Sequence, residues 1–588
     1  MTQPSLICFL ALFQSAFGQK TLVLPPGDTL NYSLTSKKPA WISIRSDDAN
    51  LAFTLFEAGK KIKDQDDSKG IGSLERLYHI PQKNKTYTLK IWSKSYIEQS
   101  KPAEVKITES ARIPVSNSHF TPSAFLEDLK AFRSIREQAN AGLYLYRTKK
   151  QIDSLYSHAE KEAENCKSIL DFYKIIARLT EFEGSCHNFT DLPDNASYYL
   201  TQKAEYLPVT LKNINGRLLQ DSEDIQIPVG AEIVSINDIP AAEIIRRLSQ
   251  YYSSDGFSTS YKETAGFEKG MLDKFYIEFG THPHYSIRYQ WKNRIHQTAL
   301  PGISYEDAKK LQNSRYSLVF RKKLMAEKYS FTKEEDGVYR LSVRSFDFAT
   351  GKEDPAYKKF GDFLDGIMQT LEKENVKHLI IDLRGNSGGT GALYEKVFTY
   401  LTQQPFRDSR YAYTLFNEIP VKESLVITPM FISNGIRNGS GLDVYLKQLY
   451  PESSQGKFYW TDEKNPLIFP SEKTFSGQLY LFVDENVASA GSHLASLIKS
   501  FTNAIVIGNE TNGGYYEHNG HLPVVYELPN TRIQTGFSIV HVIQDARILP
   551  DQKTGRGIIP HFQVRQTDQE FLDHTDAYMK KLFEIKKP

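Results

Sequence analysis

The chain has 588 residues, and at roughly 100 to 200 residues per domain this length predicts three or four domains and excludes a single small module. Hydrophobic residues make up 40% of the chain and charged residues 24%, a composition that excludes a disordered or collagen-like protein. Lysine plus arginine (72) nearly balances aspartate plus glutamate (70), so the net charge of +2 does not favour nucleic acid as a partner.

An apolar segment at the start of the sequence predicts export. Residues 6–13 have the length of the hydrophobic region of a secretory signal, and Ala16 and Gly18 are small residues of the kind that signal peptidase recognises. We therefore expect cleavage before Gln19 and a periplasmic or extracellular mature protein. No later stretch approaches the ~20 apolar residues that span a bilayer, so stable membrane insertion is not expected. Cys166 and Cys186 then remain, either as one disulfide or as two free thiols.

The first half of the mature chain predicts three modules. Residues 19–112 read as short alternating strands between turn-forming segments, which is typical of a β-sandwich accessory domain. Residues 118–200 have apolar residues at helical spacing and end in a polar turn that contains His187. Residues 203–305 contain a glycine turn, an apolar strand and a helix in the order found in PDZ domains, whose groove binds extended peptides by strand addition.

The last module, residues 306–588, alternates strands and helices. Nearly all-apolar strands at 378–385, 478–484 and 504–508, with a further strand at 338–346, predict a parallel sheet covered by helices. Residues 403–476 lack this pattern and predict a long irregular insertion that frames a cleft. The expected fold is therefore multidomain α/β.

Two strand-to-helix junctions could hold the chemistry, since ligands bind beyond the carboxyl ends of parallel strands. Residues 385–391 are glycine-rich but have neither the P-loop nor the dinucleotide spacing, so they predict an oxyanion hole or a tight turn. Ser489 lies among small residues before the next helix, where it could be a nucleophile or a helix N-cap.

The two junctions together resemble the C-terminal processing (tail-specific) serine peptidases and the related tricorn core. The matching segments are LIIDLRGNSGG (379–389), LYLFVDENVASAG (479–491), IVIGNETNGG (505–514) and GRGIIP (555–560). The resemblance implies a ClpP/crotonase-like catalytic domain and peptide hydrolysis by Ser489, without a cofactor or a metal. It also implies an oxyanion hole from the N–H groups of Gly388 and Ala490, with substrate held along the strand at 338–346 and in the PDZ-like groove.

The general base differs from that of the Ser-Lys members of this family. Their lysine position is Gly514 here, so a Ser-Lys dyad at that place is excluded. The tricorn-like branch has a histidine in the turn after the N-terminal helices, and His187 occupies the matching place; an imidazole with a pKa near 6.5 suits a general base. The residue that orients the histidine is open, because Thr554 stands at the family's glutamate position. The candidates are Ser185, Glu510 and Asp551.

The leading hypothesis is an exported serine peptidase of the secreted bacterial type. It would hydrolyse extended or unfolded polypeptides, including from their C-terminal ends, through Ser489 and His187. The alternative is a non-catalytic peptide- or lipid-binding protein on the same fold. The oligomeric state is not indicated by the sequence.

Overall fold

The computed structural model describes residues 19–110 with several gaps, and residues 120–586 except for 194–195, 197–199, 201–204, 224, 269, 429, 432–434 and 437. The signal segment predicted at residues 1–18 lies outside the described residues. The chain forms two compact units, Met1–Val115 with Ile427–Leu442, and Ser116–Val426 with Asp443–Pro588. In the part of the chain that is described, no helix is both long enough and apolar enough to cross a membrane.

The first unit contains two four-stranded antiparallel sheets around one core. Its strands are β1 (Gln19–Leu24), β2 (Thr29–Ser33), β3 (Ala40–Arg45), β4 (Leu51–Glu57), β5 (Lys60–Gln65), β6 (Leu74–His79), β7 (Tyr87–Ser93) and β8 (Ala103–Ser110). The sheets have the orders β1-β8-β3-β6 and β2-β7-β4-β5. Ile44 of one sheet and Phe53 and Leu89 of the other lie in the same buried cluster. The strands β5 and β6 were not expected, because both are rich in charged residues.

The second unit begins with the predicted helices. They are α1 (Pro122–Ala139), α2 (Lys149–Ala163) and α3 (Ile169–Phe182). Each starts at a hydroxyl side chain, of Thr121, Thr148 or Ser168, that accepts a hydrogen bond from a main-chain N–H of the first turn. The short strand β9 (Phe189–Asp191) follows α3 directly. The helical spacing in the sequence therefore predicted the three helices at the right places.

A second group of elements forms an antiparallel sheet with helices around it. In chain order they are β10 (Leu211–Ile214), β11 (Arg217–Gln220), β12 (Glu232–Ile236), β13 (Ile239–Pro240), α4 (Ala241–Ser249), α5 (Ser260–Glu268), α6 (Met271–Phe279), β14 (His284–Trp291), β15 (Arg294–Pro301), α7 (Tyr305–Asn313) and α8 (Leu318–Leu324). The sheet order is β10-β11-β12-β14-β15, with β13 paired to β12. Helix α5 packs beside the edge strand β10, where Asn213 donates to the Glu263 carbonyl at 3.0 Å and Lys212 pairs with Glu268 at 2.8 Å.

The remaining elements build the α/β part of the unit and an adjoining sheet. They are β16 (Tyr329–Lys333), β17 (Val338–Val343), α9 (Pro355–Lys373), β18 (His378–Asp382), α10 (Gly391–Thr399), β19 (Ser409–Thr414), β20 (Leu425–Val426), α11 (Gly439–Leu449), β21 (Glu452–Ser454), β22 (Lys457–Tyr459), β23 (Gln478–Val483), α12 (Ala490–Phe501), β24 (Ile505–Gly508), β25 (Glu517–Glu527), β26 (Gln534–Gln544), β27 (Phe562–Gln563), α13 (Asp568–Leu572) and α14 (Ala577–Lys586). Short 3₁₀ helices lie at Glu335–Gly337 and Lys422–Ser424.

The predicted parallel sheet is present. Its order is β16-β17-β18-β23-β24-β27, and every pair from β17 to β27 is parallel. The strands β18 and β23 are almost completely buried, which explains their continuous apolar sequences. The multidomain α/β class is therefore confirmed. The closer assignment to PDZ-like, sandwich and ClpP/crotonase-like modules stays a prediction.

The prediction of an irregular insertion at 403–476 was wrong. This stretch supplies β19, β20, β21 and β22, which join β25 and β26 in a second sheet of order β20-β25-β26-β19-β22-β21. The strand β9 also pairs with β26. These strands escaped recognition because their buried and exposed residues are mixed, as in β19, and several are only two or three residues long. The sheet anchors the segment that directly follows His187.

Candidate active site

Ser489 stands between the end of β23 and the start of α12 in a strained conformation. Its backbone has φ +50° and ψ −128°, which L residues rarely adopt and which costs of order 1–3 kcal/mol. Although it is the N-cap residue of α12, its side chain makes no capping hydrogen bond. The side chain is also partly exposed. Ser489 therefore occupies the N-cap position without forming the capping bond, which leaves its Oγ available for chemistry.

The glycine-rich loop after β18 lies directly against Ser489. Gly388 has φ +110°, and a Cβ there would lie 2.7 Å from the Ser489 Cβ, so only glycine fits. Its N–H donates to Asn386 Oδ1 at 2.9 Å, so this predicted oxyanion donor is already engaged. Among the described residues, the Ala490 N–H has no acceptor at the start of α12. Ala490 is thus the donor that the structure leaves open to a developing oxyanion.

His187 lies in the turn between α3 and β9, partly buried. Its Nδ1 is 3.5 Å from the Cys186 Sγ, and its ring stacks on His518 with 6.0 Å between the ring centroids. Burial lowers the pKa of His187 to about 4, with a further contribution from His521, while the Asn519 carbonyl opposes this shift. The imidazole is therefore neutral at pH 7, which is the form that can accept a proton.

Neighbouring residues connect the turn of His187 with the segment of Ser489. Burial and Asp255 raise the pKa of the Cys186 thiol, and the Ser489 main chain partly offsets this rise. His518, which stacks on His187, also contacts His493, with 5.8 Å between the ring centroids. The main-chain N–H of His493 donates to the Ser489 carbonyl at 2.9 Å. Cys186 and Cys166 are both free thiols, so the disulfide alternative does not apply.

The three candidates for orienting the histidine have different surroundings. The Ser185 Oγ accepts the main-chain N–H of His187 at 3.4 Å and forms no hydrogen bond with the ring. Glu510 accepts hydrogen bonds from Arg556 at 2.7 Å and from the Gly557 N–H at 3.0 Å.

The third candidate, Asp551, forms an ion pair with Lys499 at 2.8 Å, and it lies 3.5 Å from the His561 ring. Both acidic candidates are therefore committed to other partners. Ser185 alone touches His187, and it does so through the main chain.

Sequence reasoning missed the residues that surround the pair, above all Asp255 and His518. Asp255 follows two serines in an ordinary turn sequence, and His518 is one of the 14 histidines of the chain. Their importance depends on contacts with residues that are distant in sequence, which no local pattern reports. Among the described residues, His, Cys, Asp and Glu side chains form no group of three or more that could hold a metal ion.

The strand that was expected to hold substrate, residues 338–346, has no free edge over most of its length. The strand β17 pairs with β16 on one side and with β18 on the other, so neither edge is free over Val338–Val343. Beyond it, Phe346 is hydrogen-bonded to the glycine-rich loop at Gly388 and Thr390. This segment supports the loop beside Ser489, and substrate binding along residues 338–346 stays a prediction.

A cavity of about 570 Å³ lies apart from Ser489 and His187. Its charged lining includes Lys212, Glu268 and Arg321, and it reaches Asp484 and Glu485 at the end of β23. Neither Ser489 nor His187 lines it. The predicted site residues therefore lie outside this cavity.

A strained serine beside a glycine-rich loop, at the end of a strand of a parallel sheet, is an arrangement that suits a nucleophile. Residues 341–536 match peptidase family S41, so the chain contains a domain of this family, the C-terminal processing protease family. The enzyme class predicted from the sequence, a serine-type peptidase, is confirmed. No curated protein sequence matches the chain.

Two solved structures share the fold over most of the chain. Mature CPAF complexed with lactacystin has 15% sequence identity and a TM-score of 0.52, with 79% of this chain and 98% of that chain covered. A mutant of CPAF has 12% identity and the same TM-score of 0.52, with 79% and 97% covered. At these identities the likeness concerns the fold alone. The predicted family is confirmed for the domain at residues 341–536 by the family match, whereas the tricorn-like branch and the secreted type stay predictions.

Proposed function

We propose that this protein cleaves peptide bonds in extended or unfolded polypeptides, with Ser489 as nucleophile and His187 as general base. The observation that carries the proposal is the conformation of Ser489, which is strained, uncapped and placed against Gly388 and the free Ala490 N–H. A serine that served only as a helix cap would make the capping bond and would not need the strained backbone.

The proposed reaction is an acyl transfer in two halves. Ser489 Oγ attacks the substrate carbonyl carbon while its proton passes to the His187 ring, and the carbonyl oxygen becomes an oxyanion that accepts the Ala490 N–H. The C–N bond then breaks, and His187 returns the proton to the leaving amine. Water attacks the acyl-enzyme ester by the same route and releases the carboxylate product. The low pKa of His187 keeps the base neutral before each attack.

Substitution of Ser489 tests the assignment. Ser489→Ala and His187→Ala should each lower kcat on unfolded casein by roughly 10³-fold or more, because the pair acts as one unit. A matched control is Ser496→Ala on the same helix. Ser496 is fully buried and donates to the Tyr515 carbonyl at 2.7 Å, so its loss affects stability and not the chemistry.

A fluorophosphonate probe gives an independent readout. It should label the unchanged chain and the Ser496→Ala variant, and fail to label Ser489→Ala. Equal cleavage by Ser489→Ala and the unchanged chain would contradict the proposal. Binding of an unfolded peptide without cleavage by any form would favour the non-catalytic alternative.

We also infer export to the periplasm or the cell exterior, on the apolar segment at residues 6–13 alone. Expression of the full chain in a bacterial host should yield a mature form that begins at Gln19. Retention of the segment in the purified protein, found by mass spectrometry, would contradict this.

A further inference from the structure

Asp255 joins the two loops that carry the catalytic pair. Its carboxylate is 1% exposed, and its two oxygens accept two main-chain N–H groups from distant parts of the chain. Oδ1 accepts the Cys186 N–H at 2.8 Å, and Oδ2 accepts the Gly514 N–H at 2.7 Å. Cys186 directly precedes His187, so one end of this bridge holds the base.

The other end of the bridge holds the nucleophile. Gly513 lies so close to the start of α12 that a Cβ there would be 3.1 Å from the Ser489 nitrogen and 2.0 Å from the Ser492 Oγ. The Gly513 N–H also donates to the Val487 carbonyl at 3.1 Å, two residues before Ser489. A displacement of the Gly513–Gly514 loop would therefore displace Ser489.

The main chain around Asp255 strengthens the same connection. The Asp255 N–H donates to the Asn512 carbonyl at 3.0 Å, and the Gly256 N–H donates to the Gly184 carbonyl at 2.9 Å. A Cβ at Gly256 would lie 2.2 Å from the Gly555 oxygen, so the segments approach as closely as backbones can. This short turn is thus hydrogen-bonded to the His187 turn and to the Ser489 loop at once.

We propose that Asp255 is a positioning residue of the peptidase site, which sets the separation of His187 and Ser489 by bridging Cys186 and Gly514. It takes the role that was left open when neither Glu510 nor Asp551 was found at His187. It acts through the main chain beside the histidine and not on the imidazole ring. The proposal rests on the proposed function of Ser489 and His187.

A carboxylate suits this role because both of its oxygens are acceptors. An amide of the same shape offers one acceptor, and its NH₂ group would face an N–H donor. Burial raises the pKa of Asp255 to about 6, although the two N–H groups oppose the shift. The titratable groups that face it are the Cys186 thiol and the Tyr146 phenol, and burial raises the pKa of both, so they stay neutral while Asp255 titrates.

The decisive variant is Asp255→Asn, with Asp128→Asn as the matched control. Asp128 is also fully buried and accepts the main-chain N–H groups of Asn530 and Thr531 at 2.8 and 2.7 Å. Neither of these partners belongs to the His187 turn or to the Ser489 loop. Asp255→Asn should lower kcat by about tenfold or more and leave KM within about threefold, whereas Asp128→Asn should keep kcat. The rate of fluorophosphonate labelling of Ser489 should fall with kcat.

A pH profile supplies a second readout. Its first part uses the unchanged protein, so it can be measured even if Asp255→Asn fails to fold. In the unchanged protein, kcat should decline as the pH falls through about 6 and decline again near 4, when His187 is protonated. Asp255→Asn should lose the step near 6 and keep the step near 4. Absence of the step near 6 in the unchanged protein, or equal kcat in Asp255→Asn and Asp128→Asn, would overturn the proposal.

The failure of this inference is distinguishable from failure of the proposed function. If Ser489→Ala remains active, the catalytic assignment itself is wrong, whatever Asp255→Asn does. If Ser489→Ala is inactive and Asp255→Asn matches its control, the assignment holds and only the role of Asp255 is wrong.

Discussion

At the scale of single residues, the protonation of His187 decides when the proposed base can accept a proton. The ring is largely buried and, among the described residues, no carboxylate pairs with it, so its neutral form is favoured. Because the fold lowers the pKa of His187 from 6.5 to about 4, the unfolded chain binds a proton between these values and the folded chain does not. The contribution of His187 to stability is fully present above pH 6.5 and is lost as the pH falls toward 4.

A direct titration checks this shift. In the Ser489→Ala variant, the NMR signal of the His187 ring should titrate with a midpoint near 4. The unfolding free energy of the unchanged chain should fall between pH 6.5 and 4. In His187→Gln this fall should be smaller by on the order of 1–3 kcal/mol, since each pKa unit corresponds to about 1.4 kcal/mol. A midpoint near 6.5 would show that water reaches the ring freely.

The sequence allowed prediction of those site residues whose surroundings are local. Ser489 and Gly388 stand at strand-to-helix junctions, and a buried apolar strand followed by small residues is visible in the sequence itself. Asp255 is different, because its two partners are Cys186 and Gly514. The distances that give it a role exist only once the chain has folded.

At the scale of elements, the end of β18 is fixed by a buried ionic network. Asp382 is fully buried and accepts hydrogen bonds from Arg344 and Arg384, with the shortest contact to each at 2.7 Å. Arg384 in turn pairs with Asp576 at 2.7 Å, next to α14. Although burial favours the neutral form, the Arg384 and Arg344 guanidinium groups hold the pKa of Asp382 well below its ordinary value.

Removal of this charge should destabilise the peptidase domain. Asp382→Asn leaves two buried arginines without their shared anion, so we expect a loss of about 3–5 kcal/mol in unfolding free energy, measured by urea denaturation. Glu372→Gln is the control, because the Lys473–Glu372 pair is more than half exposed on both sides and contributes little. Equal effects of the two variants would contradict the prediction.

Elements with continuous apolar sequences were predictable, and half-buried or charged ones were not. The strands β18, β23 and β24 carry buried residues on both faces, which makes them unmistakable. In contrast, β5 reads KKIKDQ and β19 reads SRYAYT, and neither shows a run of hydrophobic residues. Such strands are specified by their neighbours in the sheet, since pairing and side-chain contacts outweigh intrinsic preference.

At the scale of the whole molecule, the two compact units have separate hydrophobic cores. The core of the first unit is formed by strands between residues 19 and 110 and includes Leu89, which is fully buried. The core of the peptidase sheet is formed by other residues, among them Leu481 and Leu494. Separate cores predict separate cooperative transitions on heating.

Calorimetry of a core variant tests this division. Leu89→Ala should destabilise the first unit by about 2–5 kcal/mol and lower one of two transition temperatures. The second transition and the cleavage of casein should not change. A single transition that shifts as a whole would contradict the separation of the cores.

The distribution of the site along the chain has a consequence for the cell. The proposed base follows α3, Asp255 follows α4 and the proposed nucleophile precedes α12, so no short piece of the polypeptide contains all three residues. A chain that is still unfolded contains these residues without their spatial arrangement. On the proposed function, peptidase activity would therefore appear only when folding is complete.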